Sequence, residues 1–264
     1  MNYEFPLVIF TALTQFAVGL ALFAAWKSLR CAGSTARECE DISAWRSKDW
    51  MVVFLLAAFG LAASLFHLAQ PLRAAEALGH LSVSWLSREG LVFGIFTVLA
   101  LVNVFRESRC LSVLAALAGL AGIVAQGFTY APVAMPAVSN GVPMLLFLLS
   151  ALALGSAAGQ MNGSHDFSTV FRTSCAALLA VLLIVPCLWT SGCAVMQASA
   201  ELWMQSWIFW AGLGLLALAF IVSLHSGAEA ALPCLALVLG GVVLTRIVFF
   251  CGTVHTAVNL GMPY

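Results

Sequence analysis

Polar residues in this chain are confined to short stretches, and between them run eight long apolar segments. They span Pro6–Trp26, Trp50–Gln70, Gly90–Phe105, Cys110–Phe128, Pro143–Gly159, Val170–Trp189, Trp207–Leu224 and Leu232–Val254. A helix needs about 20 residues to cross the ~30 Å hydrocarbon core of a bilayer. The third and fifth segments are short by that measure, so their true ends are expected to lie outside these limits. None of the segments alternates apolar with polar positions. Backbone groups in lipid must be satisfied internally, so continuous apolar runs predict helices and not barrel strands. The expected fold is an all-α integral membrane protein, with residues 1–264 forming a single eight-helix membrane domain. The first segment starts at Pro6 with no basic flank before it and no small-residue cleavage site after it. It is expected to stay as a membrane span and not to act as a signal peptide.

Composition agrees with this reading. The protein is 62% hydrophobic and 8% charged, where a soluble domain carries roughly 25% charged residues. The formal net charge is zero, which argues against a nucleic-acid partner, since that requires a basic face. The basic residues are unevenly placed. Lys27, Arg30, Arg37, Arg46, Lys48, Arg106, Arg109 and Arg172 fall in or beside the loops after spans one, three and five, while only Arg73 and Arg88 fall in the opposite loops. The positive-inside rule then puts both termini outside, which in a bacterium is the periplasm, together with the segment from Pro71 to Glu89.

The loops differ in character. Trp26–Asp49 mixes basic and acidic residues and reads as an irregular cytoplasmic link. Phe128–Val142 is uncharged, rich in proline and small residues, and is expected to pack across the bundle. Ser191–Ser206 reads as an outer loop with Trp203 as an interfacial anchor. No internal repeat supports the inverted symmetry of a secondary transporter. The eight cysteines contain no Cys-x-x-Cys pair and no four-ligand cluster. They read as small hydrophobes, with Cys187 and Cys193 as a candidate disulfide at the outer edge.

Titratable groups concentrate in Ser64–Gly90, SLFHLAQPLRAAEALGHLSVSWLSREG, which holds His67, Gln70, Arg73, Glu76, His80, Arg88 and Glu89. His67 and Gln70 share a helical face at the end of span two, and Pro71 stops the helix nearby. Two readings of His67 stand: a proton-accepting group at a membrane-edge pocket, or an interfacial histidine bonded to a loop carbonyl. Glu89 at the start of span three is either an ordinary first-turn carboxylate stabilised by the helix dipole or a partly buried proton acceptor. Arg73 either clamps a polar ligand or meets lipid head groups. His80, Glu76 and Arg88 read as loop surface or docking contacts.

Two further residues stand out. Arg246 lies well inside span eight, where a charge costs about 2.5–3.5 kcal/mol at the bilayer centre. It needs an acid, carbonyls or water, and Glu89 is the first acid to consider. His255 ends the same span, level with His67, and two histidines on different helices are one way to ligate a haem iron. A haem-b electron-transfer protein therefore remains an alternative, as does a transporter.

The segment from Ser64 to Gly90 resembles the equivalent stretch of the membrane-anchor subunit of bacterial dimethyl sulfoxide reductases. That family carries a His-Leu-x-x-Pro-x-Arg-Ala pattern, met here by His67 to Ala74, and a Leu-Ser-x-Glu pattern, met by Leu86 to Glu89. The opening EFPLVIFTALTQFAVG and the ending TRIVFFCGTVHTAVNLGM are also similar to the family's first and last spans. The resemblance implies a non-catalytic subunit that holds an iron–sulfur subunit and a molybdopterin catalytic subunit on the outer face of the inner membrane. It implies oxidation of menaquinol, electron transfer to a nearby iron–sulfur cluster, and no haem of this subunit's own. It marks His67 as the quinol-site histidine, Glu89 as its acidic partner and Arg73 as a further site residue; Gln70, Arg246 and His255 are expected as supporting residues from their positions in the sequence. Quinol oxidation releases two protons and two electrons, so an imidazole and a carboxylate at the outer edge suit it. The terminal acceptor would be chosen by the catalytic subunit.

Overall fold

In the computed structural model, residues 4–30, 36–66, 76, 79–106, 108–161, 167–225 and 230–256 are described, with residues 36–47 as backbone alone. Among them are nine helices and no strands: α1 Phe5–Arg30, α2 Ala36–Leu65, α3 Trp85–Phe105, α4 Arg109–Thr129, α5 Val142–Gln160, α6 Phe167–Trp189, α7 Ala194–Gln205, α8 Trp207–His225 and α9 Ala231–Gly252. All but α7 contain a stretch long and apolar enough to cross a membrane. Each expected segment has its helix.

The differences lie at the edges. The third helix begins at Trp85 and not at Gly90, because Ser84 caps it: the Ser84 hydroxyl accepts the Ser87 amide at 3.2 Å. Glu89 therefore sits in the second turn, beyond the reach of simple first-turn capping. The expected irregular link Trp26–Asp49 is largely helix, since α1 continues to Arg30 and α2 starts at Ala36. α2 runs to Leu65, and the expected end of the second span at Gln70 lies outside the described residues.

The stretch expected as a loop at Ser191–Ser206 contains α7. Trp203 on that helix is 1% exposed, so it is no interfacial anchor. Its ring meets Trp189 at 4.9 Å, Phe209 at 5.6 Å and Phe249 at 6.3 Å. A helix of 12 residues cannot cross a bilayer; α7 instead lays an apolar face on α6, α8 and α9. The 128–142 segment packs inward as expected, with Ala137 and Val138 in the core. Cys187 and Cys193 are both exposed and free, so they form no disulfide, while Cys175 and Cys234 are buried.

α1 is the axis of the bundle, packing on α2, α4, α5 and α9. Its approach to α5 is a backbone contact. A Cβ added to Gly155 would lie 2.4 Å from the Gly19 carbonyl carbon, and one added to Gly19 would lie 2.0 Å from the Ala151 oxygen. Helices in lipid gain no hydrophobic drive toward each other, so small residues that admit close packing are what hold them. This crossing sets the spacing of the polar residues one turn away.

Candidate functional site

The site gathers at the end of the bundle where α3 begins. By the alternation of the helices, α4 ends there, α1 and α5 begin there, and α9 ends there. On α3, Glu89, Phe93, Phe96, Ala100 and Asn103 recur every three or four residues and form its buried face. The Phe93 ring lies against Gly122 of α4 and, edge to face at 5.7 Å, against Phe10 of α1. It closes the bundle one turn below Glu89.

Glu89 is 1% exposed, and neither of its carboxyl oxygens has a hydrogen-bond partner. The side chains of Gln126 and Thr129 face it from α4 without bonding it: the Thr129 hydroxyl has spent its one hydrogen elsewhere, and the Gln126 amide has spent one of its two. The Gln126 amide donates to Thr14 Oγ1 at 3.4 Å and the Thr129 hydroxyl to the Ala125 carbonyl at 2.9 Å. Leaving a buried polar group unsatisfied costs about 1–3 kcal/mol, and more when it is charged. Buried orphans are rare in folded proteins and mark places where a ligand or an ion supplies the missing bond.

Tyr130, the residue that ends α4, adds a second orphan. Its hydroxyl is buried and unpartnered, and its ring is wedged edge to face against Phe147 at 5.9 Å and Phe250 at 5.1 Å. Burial, together with the nearby Glu89 and Glu4 carboxyls, pushes its phenol well above the usual value. It therefore stays protonated and available as a donor. A carboxyl without a donor and a hydroxyl without an acceptor thus lie at the same end of the bundle.

Arg246 does not meet Glu89. Its Nη2 donates to Gln15 Oε1 at 3.1 Å, to Ser150 Oγ at 2.9 Å and to the Leu146 carbonyl at 3.2 Å, and its guanidinium stacks 4.3 Å from the Phe147 ring. Neutral partners on two neighbouring helices take the Nη2 hydrogens, while the buried Nε is left without an acceptor. Gln15 in turn donates to Gln126 Oε1 at 3.0 Å. Gln15, Gln126 and Thr14 are fully buried. Sequence reasoning missed Gln15, Gln126 and Tyr130. A neutral amide in an apolar run was the available signal, since such groups also need partners in lipid.

Arg88 serves the loop before α3. It donates to the Leu81 and Ser82 carbonyls, each at 2.7 Å, and lies 4.3 Å over the Trp85 ring, which stacks on Phe128 at 4.4 Å. Between α3 and α4, an open groove of about 480 Å³ runs past Trp85, Arg88, Val92, Val124 and Ala125. His80 is exposed. His255 follows α9 in a segment pinned on both sides: the Val254 amide donates to Ser199 Oγ at 3.0 Å and the Thr256 amide to the Ala134 carbonyl at 2.8 Å. His67, Gln70 and Arg73 lie outside the described residues. Among the described residues, no group of three or more His, Cys, Asp or Glu side chains comes together as a metal site.

Comparison with known proteins returns one family, described as "DMSO reductase anchor subunit (DmsC)", matched over residues 1–231. The match stops where α9 starts, so Arg246 and His255 lie beyond it. The protein is 26% identical to the YnfH chain of an anaerobic dimethyl sulfoxide reductase of Escherichia coli, an alignment that covers 94% of both sequences. It is 35% identical to the C subunit of an anaerobic dimethyl sulfoxide reductase of Haemophilus influenzae, over 37% of this sequence and 33% of that one.

Proposed function

Because the protein belongs to the family of dimethyl sulfoxide reductase anchor subunits, and so anchors a reductase complex in the membrane, we propose that it is also the complex's quinol-oxidising subunit. The observation that carries this is the buried Glu89 carboxyl with no partner on either oxygen. A hydroquinone hydroxyl is the donor that such a group lacks.

The chemistry balances on this protein's residues and one partner. A quinol, taken to be menaquinol, gives up two protons and two electrons and leaves as the quinone. One hydroxyl proton passes to the Glu89 carboxylate. The second passes to the His67 imidazole, the residue matched to the family's quinol-site histidine. The Tyr130 hydroxyl donates to the oxygen that becomes the quinone carbonyl, and Arg73 stands as a further ligand of the head group. The groove between α3 and α4 takes the isoprenoid tail along its apolar walls.

The electrons leave to an iron–sulfur subunit and then to a molybdopterin catalytic subunit. The uneven placement of basic residues supports both termini, the site and the partners lying on the periplasmic face of the inner membrane. Protons and electrons would then leave on the same side, with no net charge carried through this subunit.

The test uses the whole complex in membranes. Glu89→Gln and His67→Ala should each lose quinol-driven turnover by about 10²-fold or more and lose binding of a quinol analogue. Turnover driven by a water-soluble reductant that feeds the partner subunits should persist. Retention of quinol-driven turnover by both variants would remove the site from the reaction.

A further inference from the structure

A buried path of hydrogen bonds runs from Arg246 on α9 through Gln15 on α1 to Gln126 on α4, whose side chain lies beside the Glu89 carboxyl of α3 without bonding it. Its members are of a kind that fixes direction. A guanidinium donates and never accepts. The side chain that Arg246 meets on Gln15, at 3.1 Å, must therefore present its carbonyl oxygen. The Gln15 nitrogen then points the other way and donates to Gln126 Oε1 at 3.0 Å. With its oxygen used, Gln126 has only N–H groups left to offer. One goes to Thr14 Oγ1, whose own hydrogen is committed to the Phe10 carbonyl at 2.7 Å and so cannot point back. Both ends of the path thus select the same orientation of the two amides.

Gln126 also faces the Glu89 carboxyl, and in this orientation what it turns toward that carboxyl is N–H. An N–H on that side favours the ionised carboxylate, the form that can accept a proton. A reversed amide would present its carbonyl, which holds a proton on the carboxyl and blocks uptake.

We propose that Arg246 is a positioning residue for quinol oxidation: acting through Gln15 and Gln126, it fixes which edge of the Gln126 amide meets Glu89. This rests on the reading of Glu89 as the proton acceptor. Arg246 touches no substrate and acts only through the amides it orients.

Gln15→Glu separates this role from a structural one. A glutamate at position 15 still accepts from Arg246, and indeed pairs with it, but the ionised carboxylate cannot donate to Gln126. In the full complex in membranes, the expected result is a fall of at least about tenfold in quinol-driven kcat, with little change in KM, since misplacing a reacting group by ~1 Å can cost 10²-fold. Turnover driven by a soluble reductant should be unchanged. A fall of less than about threefold overturns the proposal. Should this variant fail to assemble, Arg246→Met and Arg246→Lys decide. Lysine also only donates, so it should exceed methionine in quinol-driven kcat by at least about threefold, and equal rates overturn the proposal. If Glu89→Gln itself leaves quinol-driven turnover intact, the reading of the site fails and not the relay alone.

Discussion

Arg246 and Glu89, the two ionisable acid or base side chains buried among the described residues, form no ion pair: a pair of glutamine amides lies between them, bonded to the arginine and short of a bond to the carboxyl. A direct pair in lipid would have satisfied both charges and fixed both. Separation by two neutral residues gives Arg246 Nη2 its acceptors and leaves the carboxyl open. The cost of that open carboxyl is carried by the rest of the bundle, and it is the usual sign of a group kept for a ligand.

Glu89→Gln should therefore split stability from activity. The Glu89 carboxyl makes no bond in the protein, so exchanging it for an amide of the same shape should change stability by less than about 0.5 kcal/mol. Thermal unfolding of the purified complex should show a midpoint close to that of the parent, while quinol-driven turnover collapses. A variant that lost both together would mark Glu89 as a structural residue.

Tyr130→Phe probes the other orphan. The Tyr130 hydroxyl makes no bond in the protein, so its loss should change stability by less than about 0.5 kcal/mol, while the ring keeps its contacts with Phe147 and Phe250. Quinol-driven turnover should fall by about tenfold if the hydroxyl donates to the substrate, since one hydrogen bond of about 1.4 kcal/mol corresponds to that factor. Unchanged turnover would take Tyr130 out of the site.

Arg246→Ala should be the most damaging change near the site. It removes bonds to Gln15, Ser150 and the Leu146 carbonyl and empties the space over the Phe147 ring. A loss of about 2–4 kcal/mol is expected, read as a lowered unfolding midpoint of the complex in detergent. A midpoint equal to the parent's would show that these bonds contribute nothing net.

The fold is largely legible in the sequence because long apolar runs in lipid have one solution. The edges are less so. The polar stretch Ser84–Arg88 hides the first turn of α3, although Ser84 with Ser87 three residues on is a usable cap signal. α7 reads as a loop because it is too short to cross, and Trp203 reads as an interfacial residue because tryptophan so often sits there. The site is half legible. His67, Gln70, Arg73 and Glu89 stand out by their clustering, and Glu89 is where the unpartnered carboxyl lies. The expected pairing of Arg246 with Glu89 fails because it follows charge and passes over neutral amides. Gln15 lies 231 positions from Arg246, and nothing local announces that contact.

Gly155→Ala tests what holds the frame. The added methyl would sit 2.4 Å from the Gly19 carbonyl carbon, so α1 and α5 must separate, at a cost of about 1–3 kcal/mol. The unfolding midpoint should fall. Because Gln15 is one turn from Gly19 and Ser150 adjoins Ala151, quinol-driven turnover should fall as well, even though the altered residue is remote from Glu89. A midpoint unchanged from the parent's would mean that the crossing yields without strain.

The backbone contact at Gly19 and Gly155 has a mechanical consequence. It makes α1 and α5 one stiff unit, and Arg246 is bonded to both members of it. Glu89, Gln126, Thr129 and Tyr130 belong to α3 and α4, at the end of the bundle where α3 begins. Along the polar path, the two parts meet through Gln126 alone, which accepts from Gln15 and donates to Thr14. A shift of α4 by a few tenths of an ångström along that seam would stretch both bonds together, so the seating of α4 against α1 sets whether the carboxyl and the arginine act as one system or as two.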